Sequence, residues 1–452
     1  MRVSTRNPQN TDTKTKSQGH YKALATPVAD AGDSRARAQY THCMNSAEKL
    51  NDTLEQHHPA AHACLSQRGR RLFFPMGIPA QAGQAKEASI NATIGQLTDG
   101  AGHAMAPAAI CQHLQGITPE EATLYAPQGG NKALRAAWKK RIQQSDTAPT
   151  SSPFCTVGLT HGLKLVADLF VDEDTDVLLP EPGWGNYDLI FGTSCGGNII
   201  RYPVFDGHQF RQDAMRSALS KIKTKGVLIL NFPGNPTGYT PSMDELRPWL
   251  EAIRDSPKPI VVVCDDAYTG FVYEADRMTQ SPFHELAGCN PEKILPVKID
   301  GATKELIFFG ARVGFVTFGA TGPAAEALEL KMKGAARASV SSAPAISQSI
   351  VLSALQNPAL DTQIDEIRKV VVHRYEVLKT ALDAANIAYF PFNSGFFTLI
   401  PVQCDPEELR LKLLKDGIGV VSFARFNAIR IAYSSARAED LPLLVETLSK
   451  HI

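Results

Sequence analysis

The sequence predicts an α/β fold in which a large, mostly parallel sheet is sandwiched by helices and a smaller α+β domain is attached to it. Two near-continuous apolar runs, 226–232 (GVLILNF) and 260–264 (IVVVC), end in polar residues. Strands that are apolar on both faces are typical of a parallel sheet covered by helices. Segments with helical spacing, such as 163–172, alternate with these runs. This alternation predicts parallel strands, with ligands bound at their carboxyl ends.

The pattern divides the chain into three parts. Residues 1–67 are polar, with few aromatic residues and no periodicity, and we predict a flexible or loosely helical extension. Residues 115–335 form the predicted large domain, which has further strands at 176–179 and within 307–318. Residues 68–114 together with 336–452 form the predicted small domain. Its later elements are a long amphipathic helix at 364–384 that bridges the domains, a strand at 396–400, a helix at 406–416, a strand at 428–433 and a helix at 441–450.

Composition and charge argue against several functional classes. The chain has 452 residues, of which 43% are hydrophobic and 20% charged, which is typical of a soluble protein of two or three domains. Lys plus Arg (46) balances Asp plus Glu (46), so no global field favours nucleic acid or an anionic membrane. No apolar run is long enough to cross a bilayer. The first residues lack the pattern of a secretory signal, and we expect a cytoplasmic protein. The basic, Ser- and Thr-rich opening of the chain is also compatible with an organellar transit peptide.

Metal, phosphate-loop and dinucleotide signatures are missing from the sequence. The eight cysteines are scattered without a CxxC pair, which predicts reduced, mostly buried thiols. The cluster of His57, His58 and His62 has no partner cysteines, so we expect a polar surface there and no metal site. GxxxxGK[ST], GxGxxG after a strand and GxSxG are all absent.

Polar groups follow the apolar runs in an informative order. PGNPTG (233–238) follows the first run, and Asp265, Asp266 and Tyr268 follow the second. Lys304, in DGATK, is followed eight residues later by Arg312, in GARVGF. Singly, these features have ordinary explanations as a turn, a helix cap or a solvated lysine. In this order, at strand ends, they indicate one site.

These motifs resemble those of the class I/II aminotransferases, the aspartate aminotransferase-like enzymes of fold type I. The resemblance covers about residues 70–452 and rests on YxxxxGxxxLR, a TxG loop, NPTG, DDAY and the spacing of Lys304 to Arg312. It implies a fold type I transferase whose large domain binds pyridoxal 5′-phosphate. It also implies an amino acid and a 2-oxo acid as substrates.

The resemblance assigns the residues that would contact the cofactor ring. Lys304 corresponds to the Schiff-base lysine, whose amine must be neutral part of the time to attack and to move protons. Asp265 corresponds to the aspartate that keeps the pyridine nitrogen protonated, which makes the cofactor an electron sink. Asn235 and Tyr268 match residues that hydrogen-bond its phenolic oxygen. Trp184, in PGWGNY, matches the ring that stacks on the pyridine, although a core position would explain a tryptophan equally well.

A second group would hold the cofactor phosphate. Arg312 supplies a planar guanidinium suited to phosphate oxygens. The loop TVGLT contributes Gly158, Leu159 and Thr160 ahead of a helix, so its amides can face an anion. Tyr125, in YAPQGGNKALR, matches a tyrosine that reaches the phosphate of the neighbouring subunit. That correspondence implies a homodimer with shared active sites.

On the substrate side, Arg430, in AIRIAYS, matches the arginine that binds the α-carboxylate in a bidentate pair. Gly95, in NATIGQL, corresponds to a small-domain glycine near the substrate. Gln96 and Leu97 follow it where the family has an acidic-proline sequence. This difference from the family leaves the substrate-side wall of the site undefined. Phe396 and Phe397 fit an apolar pocket or core packing equally well.

Two other functions are compatible with parts of the pattern. A lyase on the same scaffold, cleaving a C–S bond or decarboxylating its substrate, would need the same cofactor residues. A ligand-sensing regulator would need a DNA-binding module, and residues 1–67 have no basic recognition-helix pattern. The motifs favour transamination, and they leave the identity of the amino acid and of the oxo acid open.

Overall fold

The computed structural model describes residues 46–74, 77–143 and 149–452. The helices are α1 (46–57), α2 (Pro59–Cys64), α3 (Gln67–Arg71), α4 (Ile78–Gln84), α5 (Ala108–Gln112), α6 (Pro119–Thr123), α7 (Lys132–Ile142), α8 (Gly158–Phe170), α9 (Ala214–Leu219), α10 (Met243–Arg254), α11 (Pro282–Leu286), α12 (Ala302–Glu305), α13 (Gly322–Ser339), α14 (Ala345–Gln356), α15 (Leu360–Ala384), α16 (Pro406–Lys415) and α17 (Leu441–Ser449). The strands are β1 (Ile90–Asn91), β2 (Phe154–Val157), β3 (Thr175–Glu181), β4 (Asn198–Pro203), β5 (Phe205–Asp206), β6 (Gln209–Phe210), β7 (Lys225–Leu230), β8 (Ile260–Asp265), β9 (Ile294–Gly301), β10 (Val313–Phe318), β11 (Phe397–Pro401), β12 (Ile418–Gly419), β13 (Val421–Phe423) and β14 (Ala428–Ala432).

The central sheet has seven strands in the order β2-β10-β9-β8-β7-β3-β4. The pairings β3 with β4, β3 with β7, β7 with β8 and β8 with β9 are parallel, and only β10 runs antiparallel to its neighbours. The predicted mostly parallel sheet is therefore confirmed. Because β10 is reversed, its first residue lies at the edge where the other strands end.

Each face of this sheet packs against its own apolar cluster. In β7, Val227 and Ile229 belong to one cluster, and Leu228 and Leu230 belong to the other. Alternate residues of a strand point to opposite faces, so both faces are covered. Helices α8 and α13–α15 contribute to the first cluster, and α9–α11 contribute to the second. This double covering is why the strands are apolar throughout.

A smaller sheet follows the long helix α15. Its order is β11-β14-β13 with antiparallel pairing, and β12 pairs with β1 from the N-terminal side of the chain. The helix α15 starts at Leu360, four residues before the predicted start. The contact between β1 and β12 brings residues near 90 next to the C-terminal elements.

The structure makes two sequence-based expectations more exact and contradicts a third. Only the second half of 307–318 is a strand, because Ile307 has a left-handed φ of 55° and Phe309–Ala311 is a 3-10 turn. Within the predicted extension, 46–67 is largely helical, while 1–45 lies outside the described residues. Of the cysteines in the described part, only Cys155 and Cys264 are buried, so the thiols are not mostly buried.

The described residues contain neither a membrane-spanning helix nor a metal-binding cluster. No helix among them is both long and apolar enough to cross a membrane. No group of three or more His, Cys, Asp or Glu residues in the same part of the chain could hold a metal ion.

Candidate active site

The predicted site residues come from several strand ends at one edge of the large sheet. Asp265 ends β8, Lys304 follows β9 in the short helix α12, and Arg312 directly precedes β10. Gly158 follows β2 as the first residue of α8. Parallel strands end at one edge, and the reversal of β10 adds Arg312 to the same edge.

Lys304 combines partial burial with a lowered pKa. Its Nζ lies 4.8 Å from the centre of the Tyr268 ring. Burial lowers the pKa of Lys304 to about 8; Asp265 opposes this decrease and Arg312 adds to it. A substantial fraction of the amine is therefore neutral near pH 8, as a nucleophile or proton carrier requires.

Asp265 is a buried carboxylate with one free oxygen. The residue is 3% exposed, and its Oδ2 accepts a hydrogen bond from Tyr187 Oη at 2.6 Å. Its Oδ1 has no hydrogen-bond partner among the described residues. Burial raises the pKa of Asp265 to about 6, against the effects of Tyr187 and Lys304. An unsatisfied buried carboxylate oxygen of this kind calls for a donor from a ligand.

Asn235 links Tyr268 to Arg430. Its Nδ2 donates to Tyr268 Oη at 3.4 Å, and its Oδ1 accepts from Arg430 Nη1 at 3.3 Å. Asn231 orients this loop, because its side chain accepts from the Asn235 amide and donates to the Asp265 carbonyl, both within 2.9 Å. The PGNPTG turn is thus fixed to the end of β8.

Arg430 is a buried guanidinium without an acidic partner. It lies in β14, is 1% exposed, and forms no ion pair with any Asp or Glu in the described ranges. Its Nη2 donates to the Thr93 carbonyl at 2.7 Å, its Nε has no partner, and its Cζ lies 4.2 Å from the Phe397 ring centre. Burial lowers the pKa of Arg430 to about 10. A buried cation without a counter-ion favours the binding of an anion.

The turn between β2 and α8 provides a second anion-binding geometry. Gly158 has φ 73°, and a Cβ there would lie 2.5 Å from Arg312 Nη2, so glycine allows the guanidinium to lie against the turn. No side chain caps α8, which leaves its first amides, including those of Leu159 and Thr160, available for an anion. Arg312 Nη1 donates to the Phe309 carbonyl at 3.1 Å, which holds the arginine in place.

The remaining predicted residues occupy distinct positions. Trp184 is partly buried and packs edge-on against Tyr187, with ring centres 5.3 Å apart. Gly95 lies against Phe397, since a Cβ there would meet that ring at 2.2 Å. Tyr125 is 94% exposed, so nearly all of its side chain is accessible.

A separate cavity lies away from these residues. It measures about 710 Å³ and is lined by Asp206, His208, Arg211, Tyr239 and Arg277, among others. None of its lining residues belongs to the predicted site. Its acidic and basic groups largely pair with each other, as Arg277 does with Glu245 at 2.8 Å. The sheet edge is therefore the better candidate for the chemistry than this cavity.

Several residues of the site were missed by the sequence analysis. Tyr187 holds Asp265, Asn231 holds Asn235, and Thr93 contacts Arg430 through its carbonyl. His161 accepts a hydrogen bond from the Val157 amide next to Gly158 at 3.1 Å. Tyr187 lies three residues after Trp184, and Asn231 sits at the end of an apolar run, so both had a positional signal. A contact through a backbone carbonyl, such as that of Thr93, leaves no signal in the sequence.

Comparisons with known proteins identify a matching family. Residues 87–448 match the family model described as "Aminotransferase class I and II". The aspartate/prephenate aminotransferase of Thermus thermophilus is 24% identical over 342 residues, which is 73% of this chain and 83% of the relative. The aspartate aminotransferase of Bacillus subtilis is 26% identical over 264 residues, covering 58% and 63% of the two chains.

Solved structures resemble the fold. An aminotransferase from Anaerococcus prevotii superposes with a TM-score of 0.78 at 22% identity, covering 86% of this chain and 98% of its own. The kynurenine aminotransferase of Pyrococcus horikoshii has a TM-score of 0.72 at 17% identity, covering 87% and 97%. At these identities the superpositions confirm the α/β architecture of fold type I.

Proposed function

The chain belongs to the class I and II aminotransferase family, and from this premise we propose that it moves an amino group between an amino acid and a 2-oxo acid, with pyridoxal 5′-phosphate bound at Lys304. One observation carries the proposal. A lysine of lowered pKa lies at the same sheet edge as a buried carboxylate, one oxygen of which has no hydrogen-bond partner among the described residues. Arg430 on the small sheet has no acidic partner within the same part of the chain. Asp265 would match a cationic ring, Lys304 an amino group and Arg430 a carboxylate.

The residues present fit the cofactor. Asp265 Oδ1 lacks a donor, and a protonated pyridine nitrogen would supply one. The uncapped start of α8 and the Arg312 guanidinium offer amides and a cation to a phosphate group. Asn235 and Tyr268 form a polar pair that would face the phenolic oxygen. Trp184 would supply a stacking ring.

The chain's own residues would perform the proton transfers. When bound, the cofactor supplies a carbonyl for the amino group and a ring that withdraws electrons from the substrate α-carbon. Lys304 would hold that group through its Nζ, and the same amine, once freed, would take the proton from the substrate α-carbon and deliver it to the carbon on the other side of the substrate nitrogen. Asp265 would keep the ring nitrogen protonated through its ionised carboxylate. Tyr187 would hold that carboxylate in place.

Substrate binding is assigned to Arg430. Its unpaired guanidinium, stacked on Phe397, would take the α-carboxylate in a bidentate pair. Gly95 would admit Phe397 into this position, because any side chain at 95 would collide with the ring. Substrate side-chain preference is left open by this assignment.

We also propose that the chain works as a homodimer. The side chain of Tyr125 is 94% exposed, and the neighbouring Leu124 is 63% exposed, so both would suit a contact with a second copy, in which Tyr125 reaches the phosphate of the partner site. Light scattering should give about twice the chain mass of 49.0 kDa. A monomer that transaminates at full rate would contradict the shared site.

The proposed activity is tested by adding single amino acids to cofactor-loaded protein without any oxo acid, while visible absorption and ammonia are followed. Transamination predicts that one class of amino acid bleaches the visible band, releases one equivalent of its oxo acid and produces no ammonia. Persistence of the band with continuous release of ammonia would identify a lyase instead. Protein that shows no visible band after cofactor is supplied would contradict the proposal.

Arg430→Lys should raise the KM for the amino acid by roughly 10- to 100-fold, because lysine keeps the charge but loses the two-pronged contact, and hydrogen bonds to charged groups contribute about 1.5–3 kcal/mol. The decrease in kcat should be smaller. Steady-state kinetics with the best donor would measure both. Arg410→Lys is the matched control, since Arg410 is equally buried but pairs with Glu407 at 2.6 Å within the small domain. An unchanged KM in Arg430→Lys would remove Arg430 from the substrate site.

Tyr187→Phe should weaken cofactor binding more at low pH than at high pH. The Tyr187 hydroxyl stabilises the charged form of Asp265, so its loss raises a carboxylate pKa that already lies at about 6. A rise of about one unit corresponds to roughly 1.4 kcal/mol. At about pH 6 the variant would hold Asp265 mostly protonated, and cofactor affinity should decrease several-fold. At about pH 8 Asp265 should be mostly ionised in both proteins, so their affinities for the cofactor should converge. Fluorescence titrations with the cofactor at the two pH values would test this. A pH-independent difference would contradict this role.

A further inference from the structure

Behind the candidate site lies a buried ion cluster that none of the assigned roles uses. Lys298 of β9 is 3% exposed and forms an ion pair with Asp266, which follows β8 and is also 3% exposed. Its Nζ lies 3.4 Å from Asp300 Oδ2, and Asp300 is 1% exposed. One ammonium group thus lies between two carboxylates inside the sheet.

The position of the cluster makes a purely stabilising role a poor explanation. Lys298 sits in a strand flanked on both sides, where apolar residues are the rule, and it pairs with Cys264 on β8 and Thr317 on β10. Burying ions in such a place is often no better for stability than burying apolar residues of the same size. The retained charges therefore point to a role in arranging the neighbouring groups.

Those neighbours are the two proposed catalytic groups. Asp266 directly follows Asp265, and Asp300 precedes Lys304 by four residues. Asp265 pairs with Ile299 in the sheet while Lys298 pairs with Cys264, so Asp265 and the cluster point to opposite faces. The cluster thus holds the ends of β8 and β9 together from the face that the cofactor would not occupy.

We propose that Lys298 is a positioning residue that fixes Asp265 and Lys304 relative to each other by binding Asp266 at the end of one strand and Asp300 near the end of the next. This inference rests on the proposed function, because it assigns Lys298 to the arrangement of that same site. Lys298 itself touches neither substrate nor cofactor.

Further contacts anchor Asp300 and α12. Trp138 Nε1 donates to Asp300 Oδ1 at 2.9 Å, and its ring stacks on Phe315 with centres 4.5 Å apart. Glu305, the residue after Lys304, pairs with Arg141 of the same helix α7 at 2.6 Å. Helix α7 therefore supports the segment that carries Lys304 at two points, Asp300 and Glu305. Lys298 connects Asp300 to Asp266 at the end of β8.

The electrostatics of the cluster favour a charged Lys298. Burial opposes the charge on Lys298, but Asp266 and Asp300 outweigh it and raise the lysine pKa above its ordinary value. Burial raises the pKa of Asp300 to about 7, against the effect of Lys298. The titratable groups around Lys298 are Cys264 and Asp266 at the end of β8, His284 of α11, Asp300 of β9 and Glu305 of α12.

The test compares two variants as cofactor-loaded proteins. Lys298→Met alone leaves two buried aspartates unpaired and is expected to fold poorly. The triple variant Asp266→Asn, Lys298→Met, Asp300→Asn keeps the side-chain sizes and removes all three charges, and it should fold with a Tm near that of the native protein. Lys225→Met is the control, because Lys225 forms only an exposed pair with Asp172.

The triple variant should lose about 10- to 100-fold in kcat with KM changed by less than about threefold, since small displacements of catalytic groups reduce the chemical step strongly. The pH midpoint of its visible band should also move away from that of the native protein, whereas Lys225→Met should match the native protein in all readouts. A triple variant with native kcat and a native midpoint would overturn the inference, as would a lowered Tm as its only defect. These outcomes differ from failure of the proposed function, in which the native protein itself would show no visible band.

Discussion

Lys304→Ala is expected to lower the rate of transamination by at least about 10⁴-fold, which is the upper range for loss of one general acid–base group and here includes loss of the covalent anchor. Lys298, the lysine nearest to it in sequence, is engaged with Asp266 and Asp300 and is not free to replace it. Multiple-turnover assays with the best amino donor and a 2-oxo acid would measure the loss.

Controls make this result specific. Lys304→Ala should still take up cofactor without covalent attachment, because Asp265 and Arg312 are unchanged, and its Tm should stay near the native value. Lys225→Ala removes an exposed lysine and should be fully active. If Lys304→Ala turned over at the native rate, the assignment of the lysine would be wrong.

Asp265→Asn is expected to reduce kcat by about 10³-fold, in line with the largest losses seen when one preorganised electrostatic group is removed. Asparagine has the same shape and can still accept from Tyr187 Oη, but it carries no charge to keep the ring nitrogen protonated. Stopped-flow absorption of the half-reaction with a single amino acid would place the loss in the proton-transfer step.

Asp176→Asn is the matched control for a buried aspartate. Asp176 is also 3% exposed, and it accepts a hydrogen bond from Asn198 Nδ2 at 2.6 Å. It lies near the start of β3, at the sheet edge opposite to the candidate site. It should change stability without changing kcat. A native kcat in Asp265→Asn would show that the free Oδ1 does not serve a cationic ring.

Much of the fold could be predicted from local patterns. The runs at 226–232 and 260–264 are apolar because both faces of the sheet are covered, so their periodicity reports the layer structure directly. The long helix α15 had a clear amphipathic pattern. The reversal of β10 could not be predicted, since strand direction depends on pairing with distant segments and not on the composition of the strand.

The site could be predicted where its residues follow a local order along the chain, but not where they depend on long-range contacts. Lys304, Asp265 and Arg312 occur at strand ends in a fixed order, and the predicted family is confirmed by the match over 87–448. Their supporting contacts span large sequence separations, such as Arg430 with the Thr93 carbonyl. The buried cluster of Lys298 was missed because alternate polar residues in a strand usually indicate a solvated face.

The central claim is that Lys304 holds pyridoxal 5′-phosphate covalently. The most direct measurement is to treat the purified, cofactor-loaded protein with borohydride, digest it and locate the modified peptide by mass spectrometry. The account predicts one phosphopyridoxyl group per chain, on the Lys304 side chain, and its absence in Lys304→Ala. Modification of a different lysine, or protein that loads no cofactor at all, would contradict it.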